Sequence, residues 1–276
     1  MTLDLSVIVL PDVAPAEFVA QVRDAEDAGV RTAWTYDHLS WRDMRDGPWF
    51  GAVPLLAAAG ARTSTIRLGT QVASPNFRHP VPFAKEVMTL DHVCGGRFEL
   101  GVGAGTSAAD ASVLGEPALT ARRRSERFVE WTTLLARLLE QPVTDHRGEH
   151  YAAVDARTIP GCVQRPRVPL TVAAAGPRAM RLAARLGQGW VTYADYAELS
   201  RALDAVLAEH APGKVLRRTA QVGLDDHEPF RDADAYAEFT AGLAAAGYDE
   251  VSVHWPRGDG RGVPAAALDR VLAAHR

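Results

Sequence analysis

The chain has 276 residues, of which 47% are hydrophobic and 23% charged, a composition typical of a folded globular enzyme. The net charge of −4 gives no reason to expect a nucleic-acid or anionic-membrane partner, and no apolar run approaches the ~20 residues of a membrane span. Two distant cysteines make a metal site or redox dithiol unexpected, and the first residues lack signal-peptide features, which predicts a cytoplasmic protein.

Strand-like and helix-like segments alternate along the chain with short polar joins between them. The strand-like segments are 5–10, 32–36, 66–74, 97–103, 168–176, 189–193, 217–224 and 250–255. The helix-like segments that follow them are 14–29, 51–64, 82–96, 121–140, 177–187, 195–209, 232–246 and 264–275. Residues 141–168 interrupt this alternation with a polar excursion rich in proline and glycine, which fits a small hairpin.

Eight strand–helix units in a chain of this length predict a parallel sheet closed into a (β/α)₈ barrel. An open doubly wound sheet is the alternative, but no linker separates two halves of the sequence, which favours a single barrel domain over residues 1–276. In such a barrel, the residues that follow the strands meet at one rim, where active sites lie.

Polar and aromatic residues follow the second predicted strand at this rim. His38 has the chemistry of a general acid or base or of a donor to a cofactor ring, and its alternative role is to cap the loop. Asp37 either orients His38 or caps the next segment. Trp41, Trp49 and Phe50 supply flat apolar surface that serves either a pocket or the core.

Three further segments could contact a ligand at the rim. The fifth predicted strand ends in AAAGPRAM (173–180) and leads into a helix whose free amides, with Arg178, would bind a phosphate unless this is an ordinary turn. The fourth ends in GVGAGTS (101–107), which lacks the G-x-G-x-x-G spacing and is a weak signal. The run RRR (122–124) is either a solvated helix face or a contact for an anionic ligand tail.

Together these segments resemble the bacterial-luciferase-like flavin and deazaflavin oxidoreductases. The resemblance covers almost the whole chain and is most specific in residues 63–105, where R-L-G-T-x-V, R-H-P, A-K, T-L-D, G-G-R and G-V-G-A-G follow one another in that order. It extends to TAWTYDHLSW (32–41) and to AAAGPRAMRLAARLGQGWVTY (173–193). Within the superfamily, the sequence is most similar to the branch that uses coenzyme F-420, a deazaflavin.

The resemblance implies a (β/α)₈ barrel with the cofactor lying across the strand ends. It implies a non-proline cis peptide beneath the ring, around Gln71–Val72 or Ala73–Ser74. The cofactor-binding residues that it implies are Asp37, His38, Gln71, Val72, Ala73, Gly103, Ala104, Gly105, Thr106, Ala174, Ala175, Gly176, Pro177 and Arg178. The substrate-pocket residues that it implies are Trp41, Trp49, Phe50 and Tyr193. No metal is implied.

The implied reaction is hydride transfer between coenzyme F-420 and a small organic substrate at a C=C, C=N or C=O bond, with His38 and Asp37 as catalytic residues. Sugar-phosphate members of the branch have a glutamate where this chain has Thr106, which leaves His38 as the first candidate proton donor, ahead of Tyr193 and Asp37. They also have a lysine in the loop after the sixth strand, whereas this loop carries Asp195 and other acids, which favours a neutral or cationic substrate.

Two other functions stay open, and the resemblance also implies an assembly. An FMN-dependent monooxygenase would use reduced flavin and oxygen and would need a separate cofactor-reducing enzyme as a partner. A barrel that binds a ligand without catalysis is the third possibility. The resemblance implies a homodimer, with the second and third helices as the contact.

Overall fold

The computed structural model describes residues 2–105 and 109–275, and within these two ranges the chain forms ten strands and nine α-helices. The strands are β1 (Asp4–Ile8), β2 (Thr32–Thr35), β3 (Arg67–Ala73), β4 (Phe98–Val102), β5 (Val143–Arg147), β6 (Ala152–Arg157), β7 (Leu170–Ala173), β8 (Gly189–Thr192), β9 (Arg217–Gln221) and β10 (Glu250–His254). The helices are α1 (Pro15–Asp27), α2 (Ala52–Gly60), α3 (Pro80–Val93), α4 (Ala109–Val113), α5 (Ala121–Glu140), α6 (Pro177–Leu186), α7 (Tyr196–His210), α8 (Ala233–Ala245) and α9 (Ala265–Ala273). Across the described ranges, every helix is too short or too polar to cross a lipid bilayer.

Eight of the strands close into a parallel barrel in the order β1-β10-β9-β8-β7-β4-β3-β2. Because β1 pairs with both β2 and β10, the sheet has no free edge, and the open doubly wound alternative is wrong. The predicted (β/α)₈ barrel is therefore confirmed. Its strands are buried along almost their whole length, as in β4, where all five residues are buried.

The predicted strands begin close to where the observed strands begin, and they run past the observed carboxyl ends, furthest at two of them. The segment 168–176 contains the strand Leu170–Ala173, and the segment 217–224 contains the strand Arg217–Gln221. Residues such as Ala174 and Leu224 keep the small or apolar character of a strand, but they leave the sheet to line the cavity described below. The residues wrongly predicted as strand thus lie at the rim of the barrel, just beyond the ends of β7 and β9.

A two-stranded antiparallel sheet of β5 and β6 fills the interval between α5 and β7. It is fixed to α5 through Glu130, whose Oε1 accepts hydrogen bonds from the backbone N–H of His150 at 3.1 Å and of Tyr151 at 2.8 Å. The excursion lies outside the barrel and leaves the order of the eight strands undisturbed.

A charged network fills the amino-terminal mouth of the barrel. Glu250 is 1% exposed at the start of β10, and its carboxylate accepts a hydrogen bond from Arg217 Nε at 2.9 Å. Arg67 pairs with Glu99 in the same mouth, and Arg31 lies within 3.7 Å of Glu99. Paired charges thus occupy this mouth, and the carboxyl ends of the strands are the open side.

Candidate active site

A cavity of about 960 Å³ opens at the carboxyl ends of the barrel strands. Strand-end residues from β3, β4, β7, β8 and β9 form its floor and sides. The loops after β2 and β10 and the starts of α5 and α6 complete the wall. A volume near the upper end of the usual ~300–1,000 Å³ for small-molecule sites accommodates an extended cofactor together with a second molecule. The cavity is the candidate active site.

Most of the residues proposed from the sequence lie on this wall. The predicted residues that line the cavity are His38, Trp41, Gln71, Val72, Gly103, Ala104, Gly105, Ala174, Ala175, Gly176, Pro177, Arg178 and Tyr193. The described residues of the wall do not include Asp37, Trp49, Phe50 or Ala73. Thr106 lies outside the described residues.

His38 is held by a buried carboxylate that sequence reasoning missed. Its Nδ1 lies 2.6 Å from Asp110 Oδ2, and Asp110 Oδ1 accepts a hydrogen bond from the Leu39 amide at 2.7 Å. Asp110 is 0% exposed on α4, whereas the His38 side chain is 14% exposed at the cavity. Because a carboxylate accepts a hydrogen bond, Nδ1 carries the ring proton and Nε2 is the nitrogen left for a bound molecule.

Asp37 does not occupy the position proposed for it. Its carboxylate is 1% exposed and accepts two hydrogen bonds from Arg78, from Nε at 3.0 Å and from Nη2 at 2.7 Å. Arg78 in turn bonds Glu86 of α3 at 2.9 Å. Asp37 therefore anchors the β2 loop to the helix layer, and the structure gives no support to a catalytic or ring-lining role for it.

Three other predicted residues, Trp49, Phe50 and Ala73, lie off the cavity wall. Trp49 donates from Nε1 to the His38 carbonyl oxygen at 2.9 Å and packs against a buried cluster that contains Trp34. Phe50 is 37% exposed, and its amide donates to the Pro11 carbonyl at 2.7 Å. Ala73 is fully buried at the end of β3. Trp49 thus fixes the backbone of the candidate catalytic histidine, while Trp41 lies against its ring at 4.5 Å between centroids.

A chain of neutral hydrogen bonds crosses the cavity floor. Gln71 Nε2 donates to Gln221 Oε1 at 3.0 Å, and Gln221 Nε2 donates to the Tyr36 hydroxyl at 2.9 Å. The same hydroxyl lies 2.9 Å from His254 Nε2. Burial, aided by the nearby Arg257 charge, lowers the pKa of His254 to about 3, so its imidazole is neutral at physiological pH.

The floor is shaped by a bulge in β3. The pairing of β3 with β4 shifts register between Thr70 and Ala73, and the Gln71–Val72 peptide is cis, at one of the two places that the resemblance implied. Gly103 of the adjoining loop faces this bulge, and a Cβ on it would lie 2.5 Å from Val72 Cγ2. The missing side chain lets the β4 loop approach the bulge closely.

The end of the cavity nearest α5 and α6 is basic. Helix α6 begins after Gly176 with no side-chain cap, so the amides of its first turn are available to a ligand. A Cβ on Gly176 would have no atom within 4 Å, which marks open space at this point. Four arginines contribute to the cavity wall, Arg122 and Arg124 from α5 and Arg178 and Arg181 from α6. Such an arrangement suits an anion such as a phosphate.

The opposite side of the cavity carries acids from the loop after β9. Asp225 and Asp226 line it together with Arg261. Arg261 Nε donates to Asp225 Oδ1 at 2.6 Å, and its Nη1 donates to Asp43 Oδ2 at 2.9 Å, which joins the loops after β2, β9 and β10. The hydrogen bond and charge of Arg261 lower the pKa of Asp225.

The fold and the position of the cavity define a (β/α)₈ barrel that takes its ligands at the carboxyl ends of its strands. The sequence profile of the luciferase-like monooxygenases matches residues 4–267. The chain belongs to this family, as the resemblance implied.

Individual proteins resemble the chain over different spans. The F-420-dependent glucose-6-phosphate dehydrogenase of Beutenbergia cavernae is 40% identical over 64% of this chain and 52% of its own length. The 4-hydroxyprotoasukamycin monooxygenase of Streptomyces nodosus subsp. asukaensis is 38% identical over 58% of this chain and 42% of its own length. The chain thus spans about half the length of these curated relatives. An F-420-dependent secondary alcohol dehydrogenase with an F-420–acetone adduct superposes over 100% of both chains with a TM-score of 0.83 at 17% identity, a likeness of fold.

Proposed function

We infer that this protein is an oxidoreductase that transfers a hydride between coenzyme F-420 and a small organic substrate with a C=C, C=N or C=O bond. The observation that carries this inference is a single cavity that combines a basic end, a bulged floor and the His38–Asp110 pair. Similarity to a dehydrogenase named for the same coenzyme supports it.

The residues of the cavity fit such a cofactor. The space beside Gly176 and the uncapped start of α6 suit its phosphate, and Arg124 and Arg178 supply counter-charge. Val72, with the small residues Gly103 and Ala104, leaves room for a ring and a polyol chain between β3 and β4. Gln71 offers a further contact, because its Oε1 is buried without a hydrogen-bond partner among the described residues.

When bound, the reduced deazaflavin supplies a hydride to an electrophilic carbon, and the protein positions and polarises the substrate. His38 is the group that we assign to proton transfer at the substrate, through Nε2. Asp110 keeps the proton on Nδ1 of the neutral ring and stabilises the imidazolium, as a carboxylate does for a catalytic histidine. Trp41 shields one face of the imidazole and excludes water from it.

Binding of oxidised F-420 to the purified protein, followed by quenching of tryptophan fluorescence, tests the proposal. We expect saturable quenching by F-420 and no saturable quenching by FMN at the same concentrations. An Arg124→Gln, Arg178→Gln double variant should weaken the binding, whereas Arg23→Gln on α1, away from the cavity wall, should leave it unchanged. Quenching by FMN alone would overturn the assignment of the cofactor.

An FMN-dependent monooxygenase is the second candidate, because the names of the family and of the Streptomyces relative both contain the word monooxygenase. It requires reduced flavin from a separate reductase and consumes one oxygen molecule for each substrate molecule oxygenated. Oxygen uptake with reduced FMN and a substrate mixture, measured with an oxygen electrode, distinguishes the candidates. A homodimer through α2 and α3 stays a prediction, which sedimentation of the purified protein would test.

A further inference from the structure

A second basic surface adjoins the cavity. A groove of about 690 Å³ lies on the outside of the barrel between α5, α6 and His210, the last residue of α7. Arg178 and Arg181 of α6 line both this groove and the basic end of the cavity. A ligand that extends out of the cavity past these two arginines would therefore enter the groove.

One wall of the groove is a row of arginines. Arg178, Arg181 and Arg185 follow one another at intervals of three and four residues, so they share one face of α6 and span about 10 Å of its length. The guanidinium of Arg181 forms no hydrogen bond or ion pair with any residue that the structure describes. Arg185 donates from Nη2 to Thr133 Oγ1 at 2.8 Å, which leaves its remaining N–H groups for a ligand.

The two glutamates of the opposite wall are already bound by donors of the protein. Glu126 Oε1 accepts a hydrogen bond from Arg122 Nε at 2.8 Å and lies 3.8 Å from Arg178 Nη1. Both oxygens of Glu130 accept hydrogen bonds from the backbone amides of residues 149–151. Neither carboxylate is therefore left to repel an anion without a compensating charge or dipole.

The run RRR at the start of α5 adds positive charge where the groove meets the cavity. Arg122 and Arg124 line the cavity beside α6, whereas Arg123 pairs with Glu149. Together with the three arginines of α6, Arg122 and Arg124 set five cations against the two glutamates of the groove. The excess of positive charge favours an anionic occupant.

Part of the groove is apolar. Val129 and Leu182 line it between the charged side chains, and Leu182 is 2% exposed. Guanidinium groups bind carboxylates, and apolar side chains accept the methylene groups that lie between them. The groove thus suits a flexible polycarboxylate that is joined to the ligand of the cavity. Coenzyme F-420 has such a part, because its phosphate continues through a lactyl group into a chain of glutamates.

We propose that this groove binds the oligoglutamate chain of coenzyme F-420, with Arg181 and Arg185 as the contacts of its carboxylates. The proposal rests on the proposed function, which places the phosphate of the coenzyme beside α6. It gives the outer face of α6 a role in selecting the coenzyme by its glutamate chain.

Two forms of the oxidised coenzyme test the proposal, one with its oligoglutamate chain and one that ends at the lactyl group. Their dissociation constants are measured by quenching of tryptophan fluorescence at low and at high salt. We expect the form with glutamates to bind about tenfold more tightly at low salt, and this preference should shrink at high salt, because exposed ion pairs are screened. Equal affinity for the two forms at low salt would overturn the proposal and leave the proposed function intact.

Arg185→Gln tests the groove separately from the cavity, because Arg185 lines the groove and does not line the cavity. It should weaken binding of the form with glutamates about two- to threefold and leave the shorter form unchanged. Arg201→Gln is the matched control, since Arg201 is an exposed arginine of the neighbouring α7 that does not line the groove. An equal effect of Arg185→Gln on both forms, or an equal effect of the two substitutions, would contradict the proposal. Failure of both forms to quench the fluorescence would overturn the proposed function, and this proposal with it.

Discussion

Replacing Asp110 by asparagine tests whether the His38–Asp110 pair carries out the proton transfer that we assign to the cavity. Asparagine keeps the size of the side chain, and its Oδ1 can still accept from the Leu39 amide. Its Nδ2 then faces His38 Nδ1, and because both atoms would be donors, the imidazole must move its proton to Nε2 or lose the contact. The imidazolium form also loses a fully buried counter-charge.

The expected loss of turnover follows from the strength of the hydrogen bond between His38 and Asp110. A hydrogen bond to a charged group contributes about 1.5–3 kcal/mol, so turnover should fall roughly 10- to 150-fold. Binding of F-420 should stay within about twofold, because Asp110 does not line the cavity. The ¹⁵N chemical shifts of His38 report the tautomer independently of activity, and they should show the neutral proton moving from Nδ1 to Nε2.

Asp37→Asn is the matched control for this experiment. It changes the carboxylate next to His38 in sequence, but that carboxylate bonds Arg78 and stands outside the cavity wall. We expect lower stability with an unchanged His38 tautomer. If Asp110→Asn leaves both the tautomer and the turnover as they were, or if Asp37→Asn alters the tautomer as strongly, the role assigned to Asp110 is wrong.

Three further substitutions test other parts of the structure. Arg181→Gln should weaken F-420 binding about three- to tenfold in a fluorescence titration, because it removes a positive charge from the cavity wall. Unchanged affinity would contradict the proposal that the phosphate of F-420 binds beside α6. Gly101→Ala should lower the free energy of unfolding, measured by urea denaturation, by about 2–4 kcal/mol, because the new Cβ would lie 2.0 Å from the Thr70 carbonyl oxygen. A variant as stable as the wild type would refute the close approach of β3 and β4. Burial alone would raise the pKa of Glu26, but hydrogen bonds from the amides of residues 64–66 outweigh burial and lower the pKa to about 2. The ionised carboxylate therefore stabilises the fold fully above pH 4.5, and this stabilisation is lost as the pH falls through 2. Glu26→Gln should therefore cost about 1–2 kcal/mol at pH 7, after allowance for solvent screening, and a cost that persists at pH 2 would contradict this origin.

The fold was predictable where burial and periodicity agree. The segment 121–140 coincides with α5, because Phe128, Trp131 and Leu135 recur at helical spacing and all three are buried. Thr120 marks the start of this helix by accepting a hydrogen bond from the Arg123 amide at 3.3 Å. The ends of β7 and β9 could not be placed as well, since the residues that leave the sheet to form the rim are as apolar as those within it.

The candidate site was predictable only where its residues sit at strand ends. His38 follows β2 directly, so the barrel rule brings it to the rim. Asp110 is 72 residues away in a short helix, and nothing in its sequence context distinguishes it from a solvated acid. The acids after β9 were missed for a related reason. Whether a loop residue lines the cavity depends on the folded structure and is not visible in the local sequence. A contact between two distant loops, such as that of His38 with Asp110, leaves no periodic pattern in the sequence.

The different partners of Asp37 and His38 explain why this strand ends in two polar residues. Consecutive side chains of an extended backbone point to opposite sides, so two neighbours at a strand end do not both face the cavity. His38 turns toward the cavity and needs a distant partner, Asp110, to fix its ring. Asp37 turns toward the helix layer and binds Arg78, which ties the loop to α3 through Glu86. The acid that holds the loop in place and the acid that prepares the imidazole are thus different residues, so the stability of the loop and the chemistry of the histidine are separable by mutation.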